Sequence, residues 1–83
     1  MFLMKNDVKS TIRKFIQKVT RKQEILDDED IFQGGIVNSL LTVQLMMFIE
    51  KTFQIRIDND DLNLENFRTM NKIEEYILRK KGL

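Results

Sequence analysis

Histidine, cysteine, proline and tryptophan are all missing from this chain of 83 residues. Without cysteine there is no disulfide framework, no thiolate nucleophile and no sign of secretion. Without histidine as well, the usual zinc ligands are gone, and so is the imidazole base that activates serine or cysteine in most covalent hydrolases. Any catalyst would have to be built from carboxylates, lysine, tyrosine and serine, which speaks against a self-contained enzyme. No apolar run approaches the ~20 residues of a membrane span, and Met1-Phe2-Leu3-Met4 is too short for the core of a signal peptide. The expectation is one soluble cytoplasmic domain over residues 1–83, of a size that folds with a thin margin.

Charge is balanced in total, with 14 Lys and Arg against 13 Asp and Glu, but it is not balanced along the chain. Lys5, Lys9, Arg13, Lys14, Lys18, Arg21 and Lys22 face a single acid, Asp7, in the first 22 residues. Glu24, Asp27, Asp28, Glu29 and Asp30 follow with no base among them. A second acidic stretch runs from Asp58 to Glu65, and the end is basic again. Basic helix faces beside acidic loops that neutralise one another account for this pattern. A nucleic-acid stripe on the first helix is the other option, and no recognition helix supports it.

Helical spacing is clearest at the start. Val8, Ile12, Phe15, Ile16 and Val19 share one face, with Asn6 or Asp7 as N-cap and an end near Arg21. From Lys22 to Asn38 that stripe is lost. These 17 residues far exceed the median connection of about 4–6, and Ile25-Leu26, Ile31-Phe32 and Ile36-Val37 suggest a loop that folds back on the core. A second helix is predicted from Ser39 to Phe53, capped by Asn38, with Leu41, Leu45, Met46, Ile49 and Phe53 on one face. Leu40, Val43 and Met47 make a second apolar strip, more than an amphipathic helix needs, so either the helix lies centrally between partners or part of its surface is reserved for another molecule. Gln54-Ile55-Arg56-Ile57 reads as an extended connection. Asn63 caps a short turn over Leu64 to Phe67, and Thr69 caps a last helix with Met70, Ile73, Tyr76 and Ile77, closed by Gly82.

Little of the usual site chemistry fits. Asp28 and Asp30 have the alternation of a calcium loop, but Phe32 takes the next ligand position, and Asp58 and Asp60 fail likewise at Leu62. Adjacent acids such as Asp60-Asp61 or Glu74-Glu75 do not face each other on a helix, so they are no acid–base pair. Gly34-Gly35 lacks the Gly-Lys-Ser/Thr of a phosphate loop. What remains is Gly35-Ile36-Val37-Asn38-Ser39-Leu40. Its serine opens a helix among unpaired amides at the positive end of the dipole, which suits a phosphate ester. An ordinary first-turn serine beside an Asn cap explains the hexapeptide equally well by itself.

In its setting, after a long loop and opening the most apolar helix, that hexapeptide resembles the attachment motif of acyl and peptidyl carrier proteins. Phe48 to Ile57 is similar to the exit of that family's second helix. Asp61-Leu62 and Glu65-Asn66-Phe67-Arg68-Thr69 resemble its short third helix and the cap of its fourth, most of all in free-standing aminoacyl and specialised-metabolite carriers. The likeness spans about Val8 to Leu78.

It implies an all-α, four-helix bundle of acyl-carrier-protein type, with three main helices, a short third helix and a long first loop. It implies phosphopantetheine attached through Ser39, flanked by Asn38 and Leu40, with cargo held as a thioester on the arm. The implied partners are a phosphopantetheinyl transferase, an acyl- or aminoacyl-activating enzyme and downstream synthases, met by a monomer through Leu40, Val43 and Met47, with Asp28 and Asp30 as acidic handles. No metal, nucleic acid or membrane is implied.

Two departures stand out. Asn38 replaces the family's usual Asp, and the second helix carries Glu50 alone, offset by Lys51, where many fatty-acid carriers are strongly acidic. Asn38 keeps the cap but loses a charge of use to modifying enzymes, and the weakly acidic second helix points to a dedicated fatty-acid, polyketide or nonribosomal-peptide type of pathway. Phe15, Phe48 and Phe53 would fill the interior and favour a short or aminoacyl cargo. The alternative is a degenerate carrier that acts as a helical adaptor and is never modified.

Overall fold

A computed structural model describes residues 5–82, with side chains from Asp7 onward. The segment Met1-Phe2-Leu3-Met4 lies outside the described residues. Three α-helices form: α1 (Lys5–Thr20), α2 (Ser39–Phe53) and α3 (Met70–Lys81), with 3₁₀ turns at Asn59–Asp61 and Leu64–Phe67. No strand occurs among the described residues, and Ile55 to Asp58 is extended connection. The fold is the all-helical bundle expected, with its short third element as 3₁₀ turns. The turn at Asn59–Asp61 was not foreseen, because three polar residues carry no apolar period.

Helix α1 already includes Asn6 and Asp7, so neither caps it; Asp7 sits in the first turn, where a negative charge suits the dipole. The helix stops at Thr20 because Arg21 turns left-handed, at φ 60°. Its buried face is Val8, Ile12 and Ile16, whereas Val19 is 45% exposed at the helix end. The other caps match the sequence. The Asn38 side chain accepts from the Leu41 amide, that of Asn63 from Glu65 and that of Thr69 from Lys72, while Gly82 closes α3 at φ 76°.

The core joins Leu45, Ile49 and Phe53 of α2 to Phe67 and to Met70, Ile73, Tyr76, Ile77 and Leu78 around α3. From the long loop come Ile25, Ile31 and Val37, all buried. Each apolar pair of that loop therefore splits. One member enters the core while its neighbour stays nearer solvent, as Leu26 does at 54% exposure.

Acidic side chains fasten the loop to its surroundings. Lys9 and Arg13 of α1 both hold Asp27, and Arg68 holds Asp30 at 3.0 Å. Backbone bonds join Ile31 N–H to the Arg68 carbonyl and Asn71 N–H to that of Asp27, at 2.9 and 3.0 Å. The loop is thus a structured strap across the bundle, and its ion pairs offset part of the local charge imbalance.

Candidate functional site

The strap ends in a tight turn that delivers the start of α2. Asp30 accepts from the amides of Phe32 and Gln33, both at 2.9 Å. The amides of Gly34, Gly35 and Val37 bond back to Asp30, Phe32 and Ile31 carbonyls. Gly35 takes φ 73°, a conformation that costs a residue with a Cβ. Val37 is then buried, and Asn38 leaves the turn extended at φ −102°, ψ −174°.

At this corner Asn38 does two things. Its side chain caps Leu41 at 2.9 Å, and its carbonyl accepts from both the amide and the hydroxyl of Thr42 at 2.8 Å. Ser39 is the first residue of α2 and is exposed. Its hydroxyl makes no hydrogen bond among the described residues. The first-turn amides of Ser39 and Leu40 have no carbonyl partner within the helix, as the geometry of any helix start requires. The first turn of α2 contains no acid, so the positive end of the dipole is uncompensated there.

Ser39 lines an open groove of ≈ 380 Å³ with Phe32, Val37, Asn38, Thr42 and Leu64. The contributions of Phe32 and Leu64 were not legible in the sequence, since only the folded strap and the second 3₁₀ turn bring them to α2. Beside this groove Leu40, Val43 and Met47 form an exposed crest, at 69%, 55% and 64%.

The acids named with them sit differently. Asp28 is exposed and forms no ion pair among the described residues. Asp30 is turned inward to Arg68 and the strap, and the Gln33 amide, with Arg68 and the Phe32 amide, holds its carboxyl below the ordinary value. Glu50 and Lys51 form no ion pair among the described residues. The Glu50 carboxylate accepts from the Ile57 amide at 2.8 Å and ties down the segment that leaves α2. No cluster that could hold a metal ion is found among the described residues, and no described helix is long and apolar enough to cross a membrane.

The sequence profile described as "Phosphopantetheine attachment site" matches residues 10–77. The chain belongs to this carrier-protein family. Carriers of the family are not themselves enzymes, and their cofactor is a covalently attached phosphopantetheine. Among its relatives, a D-alanyl carrier protein of Streptococcus uberis is 38% identical over 50 residues, 60% of this chain and 63% of that protein. D-alanyl carrier proteins of Streptococcus suis and Streptococcus mutans are 34% and 33% identical. These matches cover 81% and 86% of this chain, and 86% and 91% of those proteins. The carrier thus resembles proteins named for an aminoacyl cargo.

Proposed function

We propose that the chain carries an aminoacyl group, D-alanine first among candidates, as a thioester on a phosphopantetheine arm joined to the Ser39 hydroxyl. The observation that carries this reading is the exposed, unbonded hydroxyl at the capped start of α2. Only one other serine exists, Ser10, and it is half-buried within α1. The residues present suit a phosphodiester: the Ser39 oxygen would supply the ester bond, and the first-turn amides would face its negative charge. When attached, the arm supplies the thiol that the polypeptide lacks.

Around it, Asn38 orients the first turn, and the Leu40–Val43–Met47 crest offers apolar contact to a transferase and to an activating enzyme. Asp28, like Glu24, is an exposed acid of the strap outside any ion pair among the described residues, and it is open to meet them. A short cargo agrees with the packing. Phe53 is fully buried, and Phe15 stacks on Phe48 with ring centroids 4.2 Å apart, so the interior is already filled.

Incubation with a promiscuous phosphopantetheinyl transferase and coenzyme A, followed by intact-mass measurement, tests the attachment. Wild type is expected to gain one phosphopantetheine and Ser39→Ala none; an equal gain in both would overturn the assignment. Addition of ATP, D-alanine and a D-alanine-activating enzyme is then expected to add one hydroxylamine-labile alanyl group. Loading by fatty-acyl activating enzymes alone would overturn the aminoacyl reading.

A further inference from the structure

On the other side of the crest, α1 and α2 run antiparallel, Phe15 lying against Phe48 and Val19 near Gln44. Between them opens a groove of ≈ 700 Å³ lined by Phe15, Val19, Gln44, Met47, Phe48 and Lys51. It shares no lining residue with the groove at Ser39. Its floor is apolar. Glu50 also reaches its wall, but that carboxylate is turned to the Ile57 amide.

One lysine lines it, and further cations flank it along α1. Lys14 and Lys18 lie one turn apart on α1, next in sequence to Phe15 and Val19, and Arg21 follows where the helix ends. Lys14, Lys18 and Arg21 line a separate neighbouring depression on α1, whereas Lys51 lines the groove itself. All four are exposed, and none forms an ion pair among the described residues. Elsewhere Lys9, Arg13, Lys22, Arg56, Arg68, Arg79 and Lys80 meet carboxylates, Lys81 donates to the Phe53 carbonyl, and Lys72 also stands outside any ion pair among the described residues. Most of the unspent positive charge among the described residues therefore lies along α1 beside the groove and at Lys51 on its wall.

We propose that this groove receives an amphipathic helix of a partner protein whose short apolar face is flanked by carboxylates. A concave channel between two helices holds the side chains of a third, as knobs enter a groove. A planar lipid surface would engage a convex patch instead, and nucleic acid offers no aliphatic side chains for the floor. The flanking charges select the sign of the partner and steer its approach. Because the channel lies apart from Ser39, it can be occupied whether or not the arm is attached.

The test uses two synthetic helical peptides of about 14 residues, roughly 21 Å long. They share one Leu face and carry flanking Glu in one and flanking Lys in the other. Binding to the isotope-labelled carrier is followed by amide shifts. The Glu peptide is expected to bind saturably, with shifts confined to Phe15, Val19, Gln44, Met47 and Phe48, and to weaken as salt rises. Lys14→Glu/Lys18→Glu/Lys51→Glu, with helicity checked by circular dichroism, is expected to weaken it about tenfold, whereas Ser39→Ala leaves it unchanged. Equal binding of the Lys peptide, shifts elsewhere, or binding only to phosphatidylglycerol vesicles would overturn the proposal. Since Ser39→Ala is one arm of the experiment, its outcome separates this surface from the attachment site.

Discussion

Arg68 bonds Asp30 at 3.0 Å across 38 positions of sequence, and so pins the strap before Ser39 to the turn that precedes α3. The same two segments are joined by the Ile31 amide and the Arg68 carbonyl. Arg68→Ala is expected to leave the helices in place but to speed hydrogen exchange at Ile31. It should also slow phosphopantetheine transfer, because the turn that presents Ser39 is less well held. Unchanged exchange at Ile31 would show that the ion pair contributes nothing to the strap.

Stability should fall at both ends of the pH scale. Asp30 is held below the ordinary 3.8 chiefly by the Gln33 amide, and Asp61 chiefly by Lys80 and then Tyr76. A lowered native value means that the ionised form is favoured by folding. The contribution is complete above about pH 4 and is lost as pH falls through the native values. Lys80 is raised chiefly by Asp61. Tyr76 is raised by burial and then by Asp61, so their shares persist below about pH 10 and disappear above it. Urea midpoints across pH should show both limbs, and Asp30→Asn/Asp61→Asn should flatten the acid one.

Gly35→Ala is expected to cost about 1–2 kcal/mol, because its φ of 73° disfavours any residue with a Cβ. Space is not the reason, since nothing lies within 4 Å of the added atom. Chemical denaturation measures the loss, and Gly35→Asn, which tolerates that conformation better, should recover part of it.

Core and crest should respond in opposite ways. Phe53→Ala removes a fully buried ring and is expected to cost about 3–5 kcal/mol, enough to unfold much of so small a domain. Met47→Asp, at 64% exposure, should leave the melting temperature within a few degrees and yet reduce turnover by transferase and activating enzyme. A parallel loss of fold in Met47→Asp would remove the crest from the argument.

Much of this was legible before the fold was known. The faces of α2 and α3 and the caps Asn38, Asn63, Thr69 and Gly82 follow from helical period and local hydrogen bonding, which act within a few residues. Val19 was misplaced on the buried face because a stripe does not say where a helix outruns its core. The splitting of Ile25-Leu26, the inward turn of Asp30 and the use of Glu50 on Ile57 depend on neighbours far away in sequence or beyond a helix end. Local pattern has no purchase on them. Ser39 was legible as a candidate from its motif, but its groove with Phe32 and Leu64 was not.

The neutral cap at Asn38 has a thermodynamic consequence. A carboxylate there would already satisfy the positive pole of α2, and a phosphodiester beside it would be a like-charged neighbour. With Asn38 the first turn holds no acid, so modification at Ser39 would place the first anion at that pole and stabilise the helix by about 0.3–1 kcal/mol. The holo form should then melt above the apo form, and Asn38→Asp should narrow the gap. The carrier's own folding free energy would register whether it has been armed.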